Sequence, residues 1–408
     1  MIYTAIMGHG VVGSGVAELM IEHTRRLSKR VRDSIELKYI LDLRDFDDLS
    51  YSDKFIKDFT VIANDPTVKI VVETMGGLHP AYDFVKECLE KGKSVVTSNK
   101  ELVAAKGCEL LKIAEENNVN FLFEASVGGG IPILRPMAQC LAANKISEVY
   151  GILNGTTNYI LNKMIVDNMD FASALKLAQE NGFAEKNPDS DILGIDACRK
   201  ICILASLAFG KHVYPENVLT EGIEDITLRD IANADKFHCV IKLIGRASRE
   251  ENGCISVSVM PTLISKERII SKVDGVFNAI TVKGDACGEL MFYGRGAGKM
   301  PTASAVVADV LDCAKHLKSK KYLSWEDSAE GYVIPSEKPE RLYVSVKSEK
   351  FDKLLETFDK VFYDNTWNIK DAESGEIAFI TESAQKSVLL QKISSLSFDS
   401  VKIMNTLY

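Results

Sequence analysis

"YTAIMGHGVVGSGVAELMIEH", residues 3–23, decides how the first third of this chain is built. An apolar, strand-like run ends in Gly8-His9-Gly10-Val11-Val12-Gly13, and apolar residues at helical spacing follow. That is G-x-G-x-x-G between a strand and a helix. Its glycines permit a tight turn, close backbone approach to a ligand and close helix packing, and the helix N-terminus then faces a pyrophosphate. The bland alternative is a plain glycine turn. The order strand, loop, helix favours a dinucleotide site, with Gly8, Gly10, Val11, Val12 and Gly13 as its first contacts.

The same rhythm continues outward. "IELKYIL", "VKIVVETMGG", "SVVTSN" and "VNFLFEA" read as strands, separated by helix-like "HPAYDFVKECLEKG" and a helix from Glu101 to about Asn117. Strands alternating with helices of this length imply a parallel sheet wound on both faces. We therefore expect an α/β Rossmann-type nucleotide-binding domain over 1–135, completed by a helix at about 300–318. Strand-like alternation with long helices over 136–299 predicts an α+β domain for substrate and dimerisation. A polar connection is expected at 318–340. Residues 340–408 read β-α-β-β-α-β, a small ferredoxin-like domain.

Bulk properties exclude several classes. The chain has 408 residues, 46% hydrophobic and 26% charged, with formal net charge −8. That balance, with no basic cluster to offset it, argues against nucleic-acid binding. No apolar run approaches the roughly 18–20 residues that span a bilayer, and the chain opens on a strand without a leader-like segment. Nine cysteines at irregular spacing fit reduced thiols in a cytoplasm. Cys198 and Cys202 read as small core residues, and no histidine pair marks a zinc site.

Strand ends are where ligands gather in a wound parallel sheet. In "ILDLRDF", Asp42 suits a ribose 2′-hydroxyl, as with NAD, and Arg44 suits a 2′-phosphate, as with NADP; the residues leave both open. Thr74 in "TMGG" and Lys100 in "TSNK" close the third and fourth strands. In "EASVGGGIP", Glu124 precedes glycines whose carbonyls can chelate a monovalent cation; the alternative is a flexible hinge. "NPDSDILGIDACRKICILASLAF", residues 187–209, reads as one helix that grows greasier as it runs. Asp196 and Lys200 sit four apart, hence on one face. The residues alone favour an ordinary intrahelical ion pair, worth about 0.3–0.5 kcal/mol if exposed; an active site is the alternative.

Taken together, "GHGVVG", "ETMGG", "TSNK", "EASVGGGIPI", "GILNGTTNYIL", "NGFAEKNPDSDILGIDACRK" and "GRGAGKMPTASAV" resemble homoserine dehydrogenases, in that family's order and along essentially the whole chain. The resemblance implies NAD or NADP as cofactor and interconversion of L-aspartate 4-semialdehyde and L-homoserine, in threonine, methionine and isoleucine biosynthesis. It makes Lys200 the proton donor, with Asp196 and Lys100 also catalytic and contacting substrate. Glu185 binds the substrate amino group, and Gly182 and Gly298 lie beside the cofactor, as do Thr74, Arg44 and Lys100. Glu124, with the carbonyls of Val127, Gly129 and Ile131, becomes a sodium or potassium site. A homodimer or a tetramer in the cytoplasm is implied, with a C-terminal ACT-like module. That module lacks the usual Asp-x-x-Gly turn ("VKSEKFDKLL" stands there), which puts threonine as effector in question. A phosphorylating semialdehyde dehydrogenase is the nearest rival, but it needs a thiolate in a small-residue turn, and lysines stand at these strand ends. A non-catalytic sensor would have no use for Lys100, Glu185, Asp196 and Lys200 together.

Overall fold

The computed structural model describes residues 1–317, 319, 323–362 and 367–408. Part of the expected connection (318 and 320–322) and part of the C-terminal segment (363–366) lie outside the described residues.

The chain begins β1 (Ile2–Met7), α1 (Val11–Glu22), α2 (Thr24–Val31), β2 (Ile35–Leu41), β3 (Phe55–Ile56), α3 (Phe59–Asn64) and β4 (Val68–Glu73). It continues α4 (Ala81–Glu90), β5 (Ser94–Thr97), α5 (Lys100–Glu116), β6 (Phe121–Leu122) and β7 (Ile146–Ile152). Four helices follow: α6 (Gly155–Val166), α7 (Phe171–Glu180), α8 (Asp189–Ile192) and α9 (Ile195–Phe209). Next come β8 (Leu219–Thr220), α10 (Leu228–Lys236), β9 (Cys239–Arg249), β10 (Ile255–Ser265), β11 (Phe277–Gly284), β12 (Gly288–Arg295) and α11 (Lys299–Lys315). The last run is β13 (Leu342–Lys347), α12 (Phe351–Val361), β14 (Trp367–Asp371), β15 (Glu376–Ile380), α13 (Lys386–Ser394) and β16 (Ser400–Leu407).

Compactness divides the chain into two units. One holds Met1–Leu153, Cys198–Val218 and Phe277–Glu330; the other holds Asn154–Ala197, Leu219–Val276 and Gly331–Tyr408. In the first, the parallel sheet has the order β3-β2-β1-β4-β5-β6. The chain winds outward in both directions from β1, so a crevice opens beyond the carboxyl ends of β1 and β4. Branched side chains fill the sheet's core: Ile40, Ile70, Val71, Val72, Val95 and Val96 are all inaccessible to solvent. α11 closes on α1 because Gly15 leaves room for Ala303 and Lys299, and Lys299 pairs with Glu18 at 2.6 Å. β11 pairs antiparallel with both β12 and β7 in the same unit.

In the second unit, β9 and β10 form a long antiparallel pair. The last six elements run β-α-β-β-α-β, with sheet order β16-β13-β15-β14, the ferredoxin-like plan read from the sequence. They do not hang free of the rest. β16 pairs in parallel with β10 through Thr262–Asn405, Leu263–Thr406 and Ile264–Leu407. α10 binds the same module: Arg229 Nε donates to Glu376 at 2.7 Å, and Phe237 meets Trp367 edge to face.

The structure departs from the sequence reading in three places. The helix expected over 187–209 is broken at Gly194, whose φ of +80° takes the backbone out of the right-handed helix. A side chain there would crowd Thr220, Glu221 and Val259. The expected linker is partly pinned: Trp325 is buried against Gly107 and donates to His212 at 3.0 Å, and Ile255 donates to the Tyr332 carbonyl at 3.1 Å. Finally, a local basic cluster does exist, because α2 exposes Arg25, Arg26, Lys29 and Arg30.

Candidate active site

The glycine loop joins β1 to α1 at the crevice. Gly8 has φ +96°, and a Cβ on Gly13 would lie 1.9 Å from the Gly8 carbonyl oxygen and 2.7 Å from Thr74 Oγ1. Only glycine fits there. Thr74, from the end of β4, donates to the Gly8 carbonyl at 2.8 Å and so ties the two strand ends together. A cleft of about 480 Å³ runs alongside, lined by Gly8, Gly10, Asp42, Arg44, Lys57 and Thr74 among others. Main-chain amides at such a helix start can receive phosphate oxygens.

Asp42 and Arg44 both face this cleft. Asp42 accepts from the His9 amide at 2.8 Å, and Arg44 reaches it through Nε at 3.0 Å and Nη2 at 2.9 Å. Hydrogen bonding from Arg44 holds the Asp42 carboxyl well below the usual carboxylate range. Arg44 also lies over the Phe46 ring, 5.1 Å from its centroid. His9 packs its imidazole against Phe46, Phe55 and Tyr51, and burial lowers its pKa.

Lys100 is the first residue of α5, and the loop before it is fixed by a buried carboxylate. Glu73, at the end of β4, accepts from Met75 N at 2.8 Å, Gly76 N at 3.1 Å and Thr97 Oγ1 at 2.5 Å. Asn99 caps α5 through Leu102 N and donates to the Gly77 carbonyl at 2.6 Å. Burial pushes the Glu73 carboxyl up while these donors oppose the shift. The sequence reading quoted this glutamate within "ETMGG" but gave it no role.

Lys200 sits on α9, 8% exposed, and donates to the Leu153 carbonyl at 2.8 Å. A charge-assisted bond of this kind is worth about 1.5–3 kcal/mol and offsets part of the cost of drying the ammonium. Arg199, its neighbour, pairs with Glu101 at 2.9 Å. That pair ties the first turn of α5 to α9 at the residue before Lys200. Cys198 and Cys202 are buried, and burial raises the Cys202 thiol well above its ordinary value.

Asp196, 3% exposed, lies one turn before Lys200 on the same helix. Its Oδ2 accepts from Asn154 Nδ2 at 2.8 Å, and the same nitrogen donates to Asp191 Oδ1 at 2.7 Å. Neither Asn154 nor Asp191 was singled out from the sequence. Gly182 (φ +72°) and Glu185 lie exposed in the loop after α7, which Thr156 holds by donating to the Phe183 carbonyl at 2.7 Å. Gly298 (φ +126°) starts α11.

Glu124 is buried, and its carboxylate accepts from the amides of Ile133 at 2.6 Å, Leu134 at 2.8 Å and Arg135 at 2.8 Å. Val127, Gly129 and Ile131 are buried too, yet among the described residues their carbonyls accept no hydrogen bond. Buried carbonyls without donors beside a carboxylate are the donor chemistry of a hard cation site. Behind it, Asp309 accepts from Glu124 N at 2.8 Å and pairs with Arg135. Burial, then the Glu124 charge, push the Asp309 carboxyl up to about 8.

A six-stranded sheet of this winding, a glycine loop at its crevice and a lysine just beyond its fifth strand define a dinucleotide-dependent oxidoreductase. Residues 8–124 match the family model for the homoserine dehydrogenase NAD-binding domain, and 132–311 match that for homoserine dehydrogenase. The homoserine dehydrogenase of Synechocystis sp. is 43% identical over 314 residues, covering 75% of this chain and 72% of its own. A crystal structure of a homoserine dehydrogenase from Thiobacillus denitrificans superposes with TM-score 0.91 at 34% identity, covering 100% of this chain and 98% of that one. A hyperthermophilic archaeal homoserine dehydrogenase, solved in complex with NADPH, covers 76% of this chain and 97% of its own with TM-score 0.66 at 28% identity. The chain belongs to the homoserine dehydrogenase family. It is an NAD(P)-dependent oxidoreductase of amino-acid biosynthesis, acting on L-homoserine and L-aspartate 4-semialdehyde.

Proposed function

We propose that Lys200 donates the proton when the aldehyde is reduced and accepts it when the alcohol is oxidised, while Asp196, Lys100 and Glu185 hold the substrate. One observation carries this: a lysine 8% exposed, anchored to a main-chain carbonyl at 2.8 Å, on the turn after a buried aspartate. The bound nicotinamide supplies or takes the hydride at the carbon bearing the oxygen. Negative charge grows on that oxygen as the carbonyl is reduced, and an ammonium in a dry setting stabilises it and hands over a proton. In oxidation the lysine must be neutral to take the hydroxyl proton, so that direction speeds up as pH rises. The loops carrying Gly8–Gly13, Thr74, Gly182 and Gly298 seat the cofactor. Absorbance at 340 nm with homoserine and each nucleotide tests the reaction; no turnover with either overturns it.

NADP(H) is the nucleotide the cleft favours. Arg44 and Lys57 line it, and both Asp42 oxygens are engaged by Arg44 and the His9 amide, which leaves them poorly placed for a ribose 2′-hydroxyl. Arg44→Ala combined with Lys57→Ala is expected to lower kcat/KM for NADP about 30-fold or more and to leave NAD within about threefold. Equal losses with both nucleotides would contradict a 2′-phosphate contact.

Sodium or potassium would bind at Glu124 and the carbonyls of Val127, Gly129 and Ile131, tying the loop into one conformation. Melting curves in NaCl, KCl and choline chloride at equal ionic strength test it. The alkali salts are expected to raise Tm above choline by several degrees, and Glu124→Gln to abolish the difference; identical curves would refute the site.

The proposed assembly is a homodimer, or a tetramer, in the cytoplasm, where the free cysteines would stay reduced. The C-terminal module has the ACT order of elements, but Ser348 N donates to the Gly375 carbonyl at 2.9 Å and Glu349 N to Asp399 at 2.8 Å. With these turn amides engaged internally, L-threonine is not expected to act as an effector there.

A further inference from the structure

We infer that Asn154 is a positioning residue, which gathers Asp191 and Asp196 onto one side-chain nitrogen and so sets the orientation of the carboxylate that meets the substrate. The inference rests on the substrate role of Asp196 proposed above.

Asn154 follows β7 and caps α6. Its Oδ1 accepts from Thr157 N at 2.8 Å and Thr157 Oγ1 at 3.1 Å. Its Nδ2 donates to Asp191 at 2.7 Å and to Asp196 at 2.8 Å. The amide oxygen thus faces a main-chain donor, and both protons of its nitrogen are used. The amide therefore has one orientation. Flipped, its oxygen would face two carboxylates and its nitrogen would face the Thr157 N–H. Asn154 is 5% exposed and Asp196 3%, so water cannot readily replace the bond between them.

The pairing depends on the break at Gly194. In one continuous helix, residues five apart point about 140° from each other. Because α8 stops and α9 starts anew, Asp191 and Asp196 can share a donor. Two carboxylates this close repel, and the shared NH₂ group offsets the repulsion with one proton to each. Leu153, the preceding residue, accepts from Lys200.

Capping and positioning can be separated by substitution. Serine is as good an N-cap as asparagine but cannot donate to two carboxylates, so Asn154→Ser removes the bridge and keeps the helix start. Asn154→Asp also caps, and it puts a third carboxylate where two donors stood. In the full-length enzyme, Asn154→Ser is expected to lower kcat/KM for homoserine about 30-fold and Asn154→Asp about 300-fold. Tm should stay within about 3 °C and Kd for NADPH within about twofold of wild type. In an Asp196→Asn background, Asn154→Ser should cost little more, since it acts through that carboxylate. Wild-type kinetics in Asn154→Ser, or an undiminished loss in the Asp196→Asn background, would overturn the inference. An equal rise in the NADPH Kd would overturn it too, as general damage. Should Asp196→Asn itself turn over at the wild-type rate, the substrate role of Asp196 fails first and takes this inference with it. An impaired Asp196→Asn beside an unimpaired Asn154→Ser sinks the inference alone.

Discussion

Lys200→Ala is expected to cut kcat for homoserine oxidation about 10³-fold while Kd for NADPH stays within about twofold. The side chain is buried, on a helix whose following residues, Ile201 to Ala205, are almost wholly buried. Alanine is a strong helix former, so α9 should persist, and the damage should fall on chemistry. What is lost is the base that takes the hydroxyl proton as the hydride leaves, and that loss appears in kcat. Lys200→Arg separates charge from proton transfer. A guanidinium keeps the positive charge but does not release its proton near neutral pH, so it too should fail in oxidation. Turnover above about a tenth of wild type in Lys200→Ala would dismiss the lysine as the proton carrier.

Gly13→Ala is expected to weaken NADPH binding about 100-fold, equivalent to about 2.7 kcal/mol. The added methyl carbon would stand 1.9 Å from a main-chain oxygen and 2.7 Å from the Thr74 hydroxyl oxygen. A backbone oxygen cannot step aside as the end of a lysine can. Either the Gly8 carbonyl moves and loses the Thr74 bond, or α1 backs away from the cleft. Both spoil the cradle without touching Lys200. The check is calorimetric titration of NADPH into the variant, with Tm measured alongside; near-native affinity would mean that the loop does not hold the pyrophosphate. By contrast, Gly10 has open space where a Cβ would go, so Gly10→Ala in the apo enzyme should fold normally.

How much of this could be read before the structure depended on whether the partners were near in sequence. The glycine loop was legible because strand, loop and helix are contiguous. The parallel sheet was legible because its strands and helices alternate. The spacing of Asp196 and Lys200 was legible because helices place residues four apart together. The break at Gly194 was not: "DILGIDAC" has continuous helical apolar spacing, and the neighbours that leave no room for a side chain there, Thr220 and Val259, lie far along the chain. Asn154 was hidden for the same reason, since its two acidic partners lie 37 and 42 residues away. The pinned connection carried a clue that composition outweighed, namely a tryptophan amid polar residues. Trp325 is 6% exposed, with its indole N–H on His212. The sequence left Asp42 and Arg44 as alternatives, and geometry makes them partners, one holding the other.

The most direct test of the account is a crystal structure with NADP⁺ and L-homoserine bound. It predicts Lys200 Nζ within about 3 Å of the substrate's hydroxyl oxygen, with that oxygen's carbon facing the nicotinamide. A well-ordered complex that leaves the nitrogen more than about 6 Å away, with another titratable group on the hydroxyl, would contradict it.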